Sequence, residues 1–267
     1  MLFDSHCHLD APEFTEDRDA VVTTAVAAGV GKILVPSVAA NNFEAVLACC
    51  QRYPLCLPAY GIHPLYTSGA SDTDLEKLHL WLQKKPGKAD MPAIAVGEIG
   101  LDFFVADFDV SRQEFFFVEQ LKLARAIGLP VVLHVRRAID QVLKHLRRHV
   151  GMGGRGGIVH AFNGSQQQAD ELIALGFRLG FGGAMTYPRA TRIRHLAATL
   201  PLEHIVLETD APDMPPAWLR SRVEKPRNTP DQLAELAAVL AALRGMDVDE
   251  MAAVTTANAI EVLALSH

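Results

Sequence analysis

Short apolar runs rich in β-branched residues alternate along the chain with longer segments in which apolar residues recur every three or four positions. The short runs have the length and composition of buried β-strands. They predict eight strands, in order: Leu2–Ser5, Lys32–Pro36, Leu55–Tyr60, Ala93–Val96, Val131–Leu133, Gly157–Val159, Arg178–Phe181 and Ile205–Leu207.

The longer segments have the periodicity of amphipathic helices. Three of them end in a glycine (Gly29, Gly128 and Gly176), which is typical of a helix C-terminus. The predicted helices are Glu16–Ala28, Phe43–Cys50, Asp74–Lys84, Val110–Ile127, Ala138–His149, Gln166–Leu175, Arg192–Leu200 and Asp231–Leu243, followed by Asp247–Leu263.

Strands that alternate with helices indicate parallel βα units. Eight such units in a chain of 267 residues predict a (β/α)8 TIM barrel of the metal-dependent hydrolase type, with residues 1–267 as a single domain. The competing architecture, a doubly wound open sheet, favours a glycine-rich phosphate turn after the first strand. Here His6-Cys7-His8 follow that strand instead, which argues against a nucleotide-binding fold.

Composition excludes several classes of protein. Apolar residues make up 49% of the chain and charged residues 21%, as in ordinary globular proteins. The formal net charge is −6, so the chain is not a general binder of polyanions, whose affinity rests on clustered Lys and Arg. Any contact with nucleic acid must therefore be made at a small local site.

The four cysteines form no CxxC pair, and two of them are adjacent, so we expect four reduced thiols in a reducing compartment. The N-terminal residues do not resemble a secretory signal, and no apolar stretch has the length of a membrane span. We expect a cytoplasmic protein with no membrane partner, either a monomer or a small homo-oligomer.

Side chains that bind metals gather at the ends of the predicted strands. The carboxyl ends of all strands of a barrel meet around one cavity, where active sites of this fold lie. Five histidines follow strands in this way (His6, His8, His63, His134 and His160), as do two acidic residues, Glu98 and Asp210.

His6 and His8 are two residues apart on an extended chain and therefore point the same way, which suits the binding of one metal ion. Asp4 has the same parity, and we expect it to accept a hydrogen bond from an imidazole. Glu98 stands between Gly97 and Gly100, and we expect it in a tight turn at the end of the fourth strand.

Six of these side chains predict a centre of two metal ions. Burying four imidazoles and two carboxylates without a cation is costly. His6 and His8 on the first strand neighbour Asp210 on the eighth when the barrel closes, and His134 and His160 lie on neighbouring strands. Glu98 is then the bridging carboxylate. The predicted metal ligands are His6, His8, Glu98, His134, His160 and Asp210.

Two adjacent metal ions generate a hydroxide at neutral pH and hold the attacking and leaving oxygens of a displacement, so the predicted reaction is hydrolysis. Imidazole and carboxylate ligands suit Zn, Mn, Co or Ni better than Mg, and the identity of the metal stays open. We assign catalytic roles to Asp210, as proton acceptor, and to Glu98. Arg136 is the candidate for phosphate binding and His63 for binding substrate or protonating the leaving group.

The side chains named above stand in six longer motifs: Phe3-Asp4-Ser5-His6-Cys7-His8-Leu9-Asp10, Gly61-Ile62-His63-Pro64, Gly97-Glu98-Ile99-Gly100-Leu101-Asp102, His134-Val135-Arg136, Val159-His160-Ala161-Phe162-Asn163-Gly164 and Leu207-Glu208-Thr209-Asp210-Ala211-Pro212. Together these motifs resemble the TatD family of metal-dependent deoxyribonucleases, over Leu2 to about Leu263. Within that family the chain is most similar to the YjjV branch, through Gly182-Gly183, Thr186-Tyr187-Pro188-Arg189-Ala190 and Asp210-Ala211-Pro212-Asp213-Met214-Pro215.

The resemblance implies a TIM barrel with metals at the six residues named above. It also implies phosphodiester hydrolysis, with 3′-to-5′ exonuclease action on single-stranded DNA. Some relatives are instead associated with removing D-amino acids from tRNA. Val135 stands where the family often has Ser or Thr, and Ala161 where it often has Cys or Ser, which bears on the fit of the substrate and not on the metals.

Two other functions remain open. The first is an amidohydrolase-like enzyme or aminoacyl-tRNA deacylase that keeps the metals and cleaves a carbonyl ester or amide. The fourth strand lacks the lysine that bridges the metals in many amidohydrolases, but a glutamate bridge serves either chemistry. The second is a barrel that only binds a ligand, which predicts no turnover with any divalent metal.

Overall fold

The structure, a computed structural model, describes residues 1–85, 87, 91–106, 109–151, 154–220 and 226–265. Within them, eight parallel strands pair in sequence order in one sheet. The strands are β1 (Leu2–Asp4), β2 (Val30–Pro36), β3 (Cys56–Tyr60), β4 (Ala95–Asp102), β5 (Val131–Arg136), β6 (Gly157–Val159), β7 (Phe177–Phe181) and β8 (Ile205–Leu207).

All nine predicted helices are present, with ends that differ by a few residues. A tenth, α8, has four residues and is too short to show periodicity in the sequence. The helices are α1 (Arg18–Ala27), α2 (Phe43–Arg52), α3 (Asp72–Leu82), α4 (Val110–Ile127), α5 (Ile139–His149), α6 (Gln166–Ala174), α7 (Thr191–Thr199), α8 (Ala217–Arg220), α9 (Leu233–Arg244) and α10 (Val248–Val262).

Backbone hydrogen bonds join the chain after β1 to the chain around the end of β8. The Ser5 amide donates to the Leu207 carbonyl at 3.0 Å, and the Asp210 amide donates to the His6 carbonyl at 2.8 Å. The sheet therefore comes back on itself as a nearly closed barrel. With helices between successive strands, this confirms the predicted (β/α)8 TIM barrel.

An apolar cluster inside the barrel contains one side chain from each of seven strands, together with residues at the end of α10. Asn258 on α10 donates to the carbonyl of Ile205, at the start of β8, and Thr256 donates to the carbonyl of Met1. Helix α10 thus packs at the N-terminal end of the barrel. The C-terminal end stays open, and the candidate residues lie there.

Strand β4 is longer than predicted. It runs through Asp102, so Glu98 lies within a strand, and the expectation of a tight turn was wrong. The pairing register with β5 shifts between Val96 and Ile99, around Glu98. Gly100 lets the two strands continue beyond this point, because a Cβ there would lie 1.9 Å from the carbonyl oxygen of His134.

The four cysteines are free and buried, as expected for reduced thiols. Among the described residues, every helix is too short or too polar to cross a lipid bilayer.

Replacing Gly100 with alanine should weaken the barrel strongly, because the added Cβ meets backbone atoms that cannot move aside. We expect a loss of about 3 kcal/mol or more in the free energy of unfolding, measured by urea titration with circular dichroism. Gly128→Ala is the matched control, since φ is positive at both glycines (146° at Gly100 and 79° at Gly128), but a Cβ at Gly128 would have nothing within 4 Å. It should cost about 1 kcal/mol. Equal losses in the two variants would contradict the packing argument.

Candidate metal centre

All six predicted metal ligands come together at the open mouth of the barrel. Their side-chain oxygens and nitrogens form overlapping groups of three in which the ligand atoms lie within 4.8 Å of one another. The residues are His6 and His8 (after β1), Glu98 (in β4), His134 (in β5), His160 (after β6) and Asp210 (after β8).

The Glu98 carboxylate lies at the centre of the cluster and is 1% exposed. Its Oε2 atom lies 3.2 Å from Nε2 of His6 and 3.4 Å from Nε2 of His8. Its Oε1 atom lies 3.0 Å from Nδ1 of His134 and 2.9 Å from Nε2 of His160. The two oxygens thus face two separate pairs of histidines.

Asp210 completes the first pair. Its Oδ1 atom lies 3.5 Å from Nε2 of His6 and 3.9 Å from Nε2 of His8. Asp210 has a φ of 57°, a left-handed conformation that is uncommon outside glycine. Its amide is fixed by the carbonyl of His6. Burial raises the pKa of the Asp210 carboxyl.

His63, predicted to contact substrate, lies against the second pair. Its Nε2 atom is 3.5 Å from Oε1 of Glu98, and its ring stands edge-on to His134 with centroids 4.3 Å apart. Its Nδ1 atom accepts a hydrogen bond from the Leu65 amide at 3.2 Å. The neutral ring therefore carries its proton on Nε2, which faces the cluster.

Hydrogen bonds fix the tautomers of two of the histidines. Nδ1 of His8 lies 3.2 Å from the carbonyl oxygen of Pro36, which can only accept. Nε2 of His134 lies 3.0 Å from Oδ2 of Asp102. In the neutral form of each ring the outer nitrogen is therefore the donor, and the inner nitrogen keeps its lone pair, which points toward the centre of the cluster.

These donors fit divalent metal ions. The inner nitrogens of His6 and His8 are 3.2 Å apart, as are those of His134 and His160, and a Glu98 oxygen lies beside each pair. Lone pairs that converge in this way repel each other unless a proton or a cation lies between them. Imidazole and carboxylate groups are the ligands that zinc and neighbouring transition metals take.

Burial and the neighbouring charges set the ionisation of the centre. Burial alone would raise the pKa of Glu98, but the imidazoles around it hold that pKa well below its ordinary value. Burial lowers the pKa of His6 to about 3, and the neighbouring His160 adds to this. Burial likewise lowers the pKa of His63 to about 3. Glu98 is thus ionised, while His6 and His63 are neutral.

The neighbouring carboxylates favour the protonated, positively charged form of two other histidines, His8 and His160. Burial alone would lower the pKa of His8, but its hydrogen bond to Glu98 and the negative charge there raise it to about 9. Burial opposes the charged form of His160 in the same way, yet Glu98 raises its pKa to about 10. The centre therefore attracts positive charge at both ends of Glu98.

Asp102 contributes to the site and was not singled out from the sequence. Its Oδ2 atom faces Nε2 of His134, and its Oδ1 atom accepts a hydrogen bond from the Phe104 amide at 2.8 Å. Burial alone would raise the pKa of Asp102, but the hydrogen bond with His134 lowers it. The sequence signal was present, because Asp102 ends the same motif as Glu98.

Glu208 stands two residues before Asp210 in the same motif, and the structure shows what it contacts. Its Oε1 atom accepts a hydrogen bond from the Ala161 amide at 2.5 Å and lies 3.9 Å from Nδ1 of His160. Burial raises the pKa of the Glu208 carboxyl to about 8. Gly180 leaves room for this carboxylate, since a Cβ there would lie 2.1 Å from Oε2 of Glu208.

Asp4 differs from the expectation. It does not accept from an imidazole; its oxygens accept from the amide of Thr209 at 2.9 Å and from the hydroxyl of Thr209 at 2.6 Å. A longer bond, at 3.3 Å, comes from the backbone amide of His6. Burial raises the pKa of Asp4 to about 7. Asp4 thus joins β1 to the segment after β8.

A cavity of about 890 Å³ opens beside the centre, and His134, His160 and Asp210 form part of its wall. Arg136 also lines this cavity, as the prediction of a substrate contact requires. Its guanidinium carbon lies 3.6 Å from the centre of the Phe104 ring.

Comparison with known proteins finds relatives that match nearly the whole chain. The family model described as TatD related DNase matches residues 3–264. The uncharacterised metal-dependent hydrolase YjjV of Escherichia coli (strain K12) is 46% identical over 251 residues, which cover 94% of this chain and 93% of that protein. The 3′-5′ ssDNA/RNA exonuclease TatD of Cronobacter sakazakii is 34% identical over 97% of this chain and 96% of its own.

Solved structures of TatD family proteins also match nearly the whole chain. The crystal structure of YjjV from Escherichia coli matches with a TM-score of 0.91 and 43% identity, covering 99% of this chain and 98% of that chain. A TatD family hydrolase from Entamoeba histolytica has the same fold, with a TM-score of 0.84 at 20% identity over 98% of this chain and 97% of its own. The chain therefore belongs to the TatD family of metal-dependent hydrolases.

Proposed function

We propose that this protein is a phosphodiesterase that removes nucleotides from the 3′ end of single-stranded DNA at a centre of two divalent metal ions. The observation that carries the proposal is the position of Glu98, whose two oxygens face two separate pairs of histidines. The name of the Cronobacter sakazakii relative, a 3′-5′ ssDNA/RNA exonuclease, supports the substrate and the direction of cleavage.

The proposed ligands fall into two groups that share Glu98. His6, His8, Asp210 and Glu98 would hold one ion, and His134, His160 and Glu98 would hold the other. A pair of divalent ions supplies Lewis-acid stabilisation of phosphate charge and lowers the pKa of water. The ions are drawn from Zn, Mn, Co, Ni and Mg.

Asp210 is the proposed proton acceptor for the attacking water. Its side chain is 12% exposed and lines the cavity, whereas the Glu98 side chain is 2% exposed and is enclosed by imidazoles. Water and substrate thus reach Asp210, while Glu98 holds the two groups of ligands together. A general base must lie within hydrogen-bond reach of the proton that it takes, and the cavity wall provides that position.

His63 and Arg136 are the proposed substrate contacts. His63 carries its proton on Nε2, toward the cluster, so it donates to an oxygen of the phosphate or of the leaving group. Arg136 brings a fixed positive charge to the wall of the cavity, which suits a phosphodiester.

The metal content of the protein tests the centre directly. We expect two equivalents of divalent metal per chain by elemental analysis. Glu98→Ala should reduce this to one or none and lower turnover by at least about 100-fold, because losing a shared ligand costs more than losing an outer partner. Its circular dichroism should stay native. Glu119→Ala, which removes a partly exposed carboxylate paired with Lys122 on α4, is the control. Unchanged metal content in Glu98→Ala would rule out the bridging role.

The choice of substrate separates phosphodiester from carbonyl chemistry. Metal-loaded protein should hydrolyse a single-stranded oligonucleotide and bis(p-nitrophenyl) phosphate, and should leave p-nitrophenyl acetate and an aminoacyl ester largely intact. Turnover of the esters with intact phosphodiesters would favour the deacylase alternative. No turnover of any substrate with any of the candidate metals would leave only a binding function.

Asp102 should act through His134. Removing the acceptor of a metal-binding imidazole lowers metal affinity by about 10–100-fold in general, so Asp102→Ala should show a loss of this size in competition with a chelator. Asp102→Asn keeps an oxygen acceptor and should lose less. Asp170→Ala, on the surface of α6, is the control. Equal affinity in Asp102→Ala and the wild type would contradict this role.

A further inference from the structure

Phe104 is an exposed aromatic residue beside the metal centre. It follows β4, lines the same cavity as His134 and Asp210, and is 46% exposed. The preceding residue, Phe103, packs against the apolar core. Phe104 therefore does not pack in the core as Phe103 does, and its ring faces the cavity beside the cluster.

Two arginines lie over this ring. The guanidinium carbon of Arg136 is 3.6 Å from the ring centre, and that of Arg137 is 4.5 Å from it. Arg137 has a φ of 55°, in the left-handed region that disfavours a residue with a side chain. Within the described part of the chain, neither guanidinium has an ion-pair or hydrogen-bond partner. Their N–H groups are thus available to a ligand.

The Asp102 carboxylate connects Phe104 to the proposed metal centre. Asp102 accepts a hydrogen bond from the Phe104 amide through Oδ1 and faces His134 through Oδ2. The backbone of Phe104 and the proposed ligand His134 are therefore fixed to the same side chain.

The charge of the cavity suits the same ligand. Four of its lining residues are arginines and three are aspartates, of which Asp210 is a proposed metal ligand and Asp102 faces His134. A third arginine, Arg192, donates to the side-chain oxygen of Asn163. Exposed aromatic rings and arginines together are the groups that bind unpaired bases and their phosphates.

We propose that Phe104, Arg136 and Arg137 form a platform on which the base next to the scissile phosphate stacks, while the guanidinium groups bind an adjacent phosphate. This inference rests on the proposed phosphodiesterase function and adds the substrate feature that it selects. Bases in a duplex are already stacked and paired, so the platform favours single strands.

Binding to metal-loaded protein tests the platform without cleavage. The probe is a fluorescent oligothymidylate with phosphorothioate linkages at its 3′ end, measured by anisotropy. Phe104→Ala should weaken binding about tenfold, within the range found for removal of one stacked base. Phe104→Trp should bind as the wild type or better, and Phe104→Leu should resemble Phe104→Ala, because leucine is apolar but offers no π face. Phe115→Ala removes an equally exposed ring on α4, outside the cavity, and should bind normally.

Two further probes assign the effect to a base. An oligonucleotide with an abasic residue next to the terminal phosphodiester should bind the wild type and Phe104→Ala equally. Annealing the complementary strand should also remove the difference between the two proteins. Phe104→Ala binding as tightly as the wild type, or an unchanged tenfold loss on the abasic probe, would overturn the platform.

Hydrolysis of bis(p-nitrophenyl) phosphate by the wild type separates this inference from the proposed function. If that hydrolysis occurs and Phe104 has no effect on binding, the platform fails and the function stands. If the oligonucleotide binds through Phe104 but no phosphodiester is cleaved, the function fails. If the wild type does not bind the oligonucleotide at all, the platform fails.

Discussion

A buried carboxylate surrounded by imidazoles determines the character of this barrel mouth. Glu98 is ionised although it is almost fully enclosed, and an isolated buried charge of this kind is costly. Positive charge must therefore lie close to both of its oxygens. Four histidines satisfy this need only in part, because burial keeps His6 neutral. Divalent cations would supply positive charge beside both oxygens of Glu98. The cluster is therefore costly to bury without metal, and the same residues bind metal favourably.

The groups around the centre also hold the barrel together. Asp4 binds Thr209, and the amide of Asp210 binds the carbonyl of His6, across the junction between the first and the last strand. Closure of the barrel thus places Asp210 beside His6 and His8. Residues that follow the first and the last strand lie together in one half of the cluster because the fold brings these strands side by side.

The sequence predicted much of this arrangement because the signals are local. Alternating strands and helices gave the fold, and ligand-type side chains at strand ends gave the six residues that the structure brings together. What was missed depends on contacts between distant residues. The glycines beside Glu98 indicated a turn, whereas Gly100 allows β4 to pair closely with β5 as far as Asp102. Parity placed Asp4 near an imidazole, but it could not reveal that Thr209 offers two better donors.

The platform at Phe104 follows from the same reasoning about charge. A net charge of −6 repels a polyanion at a distance and gives little of the counterion release on which nonspecific binding rests. An acidic chain that acts on nucleic acid must then draw its affinity from short-range contacts. Stacking on an exposed ring, two guanidinium groups without partners in the described chain, and the proposed cations at Glu98 would be contacts of that kind. Since all of these groups lie at one mouth of the barrel, the proposed contacts would favour a free strand end over the uniform backbone of a duplex.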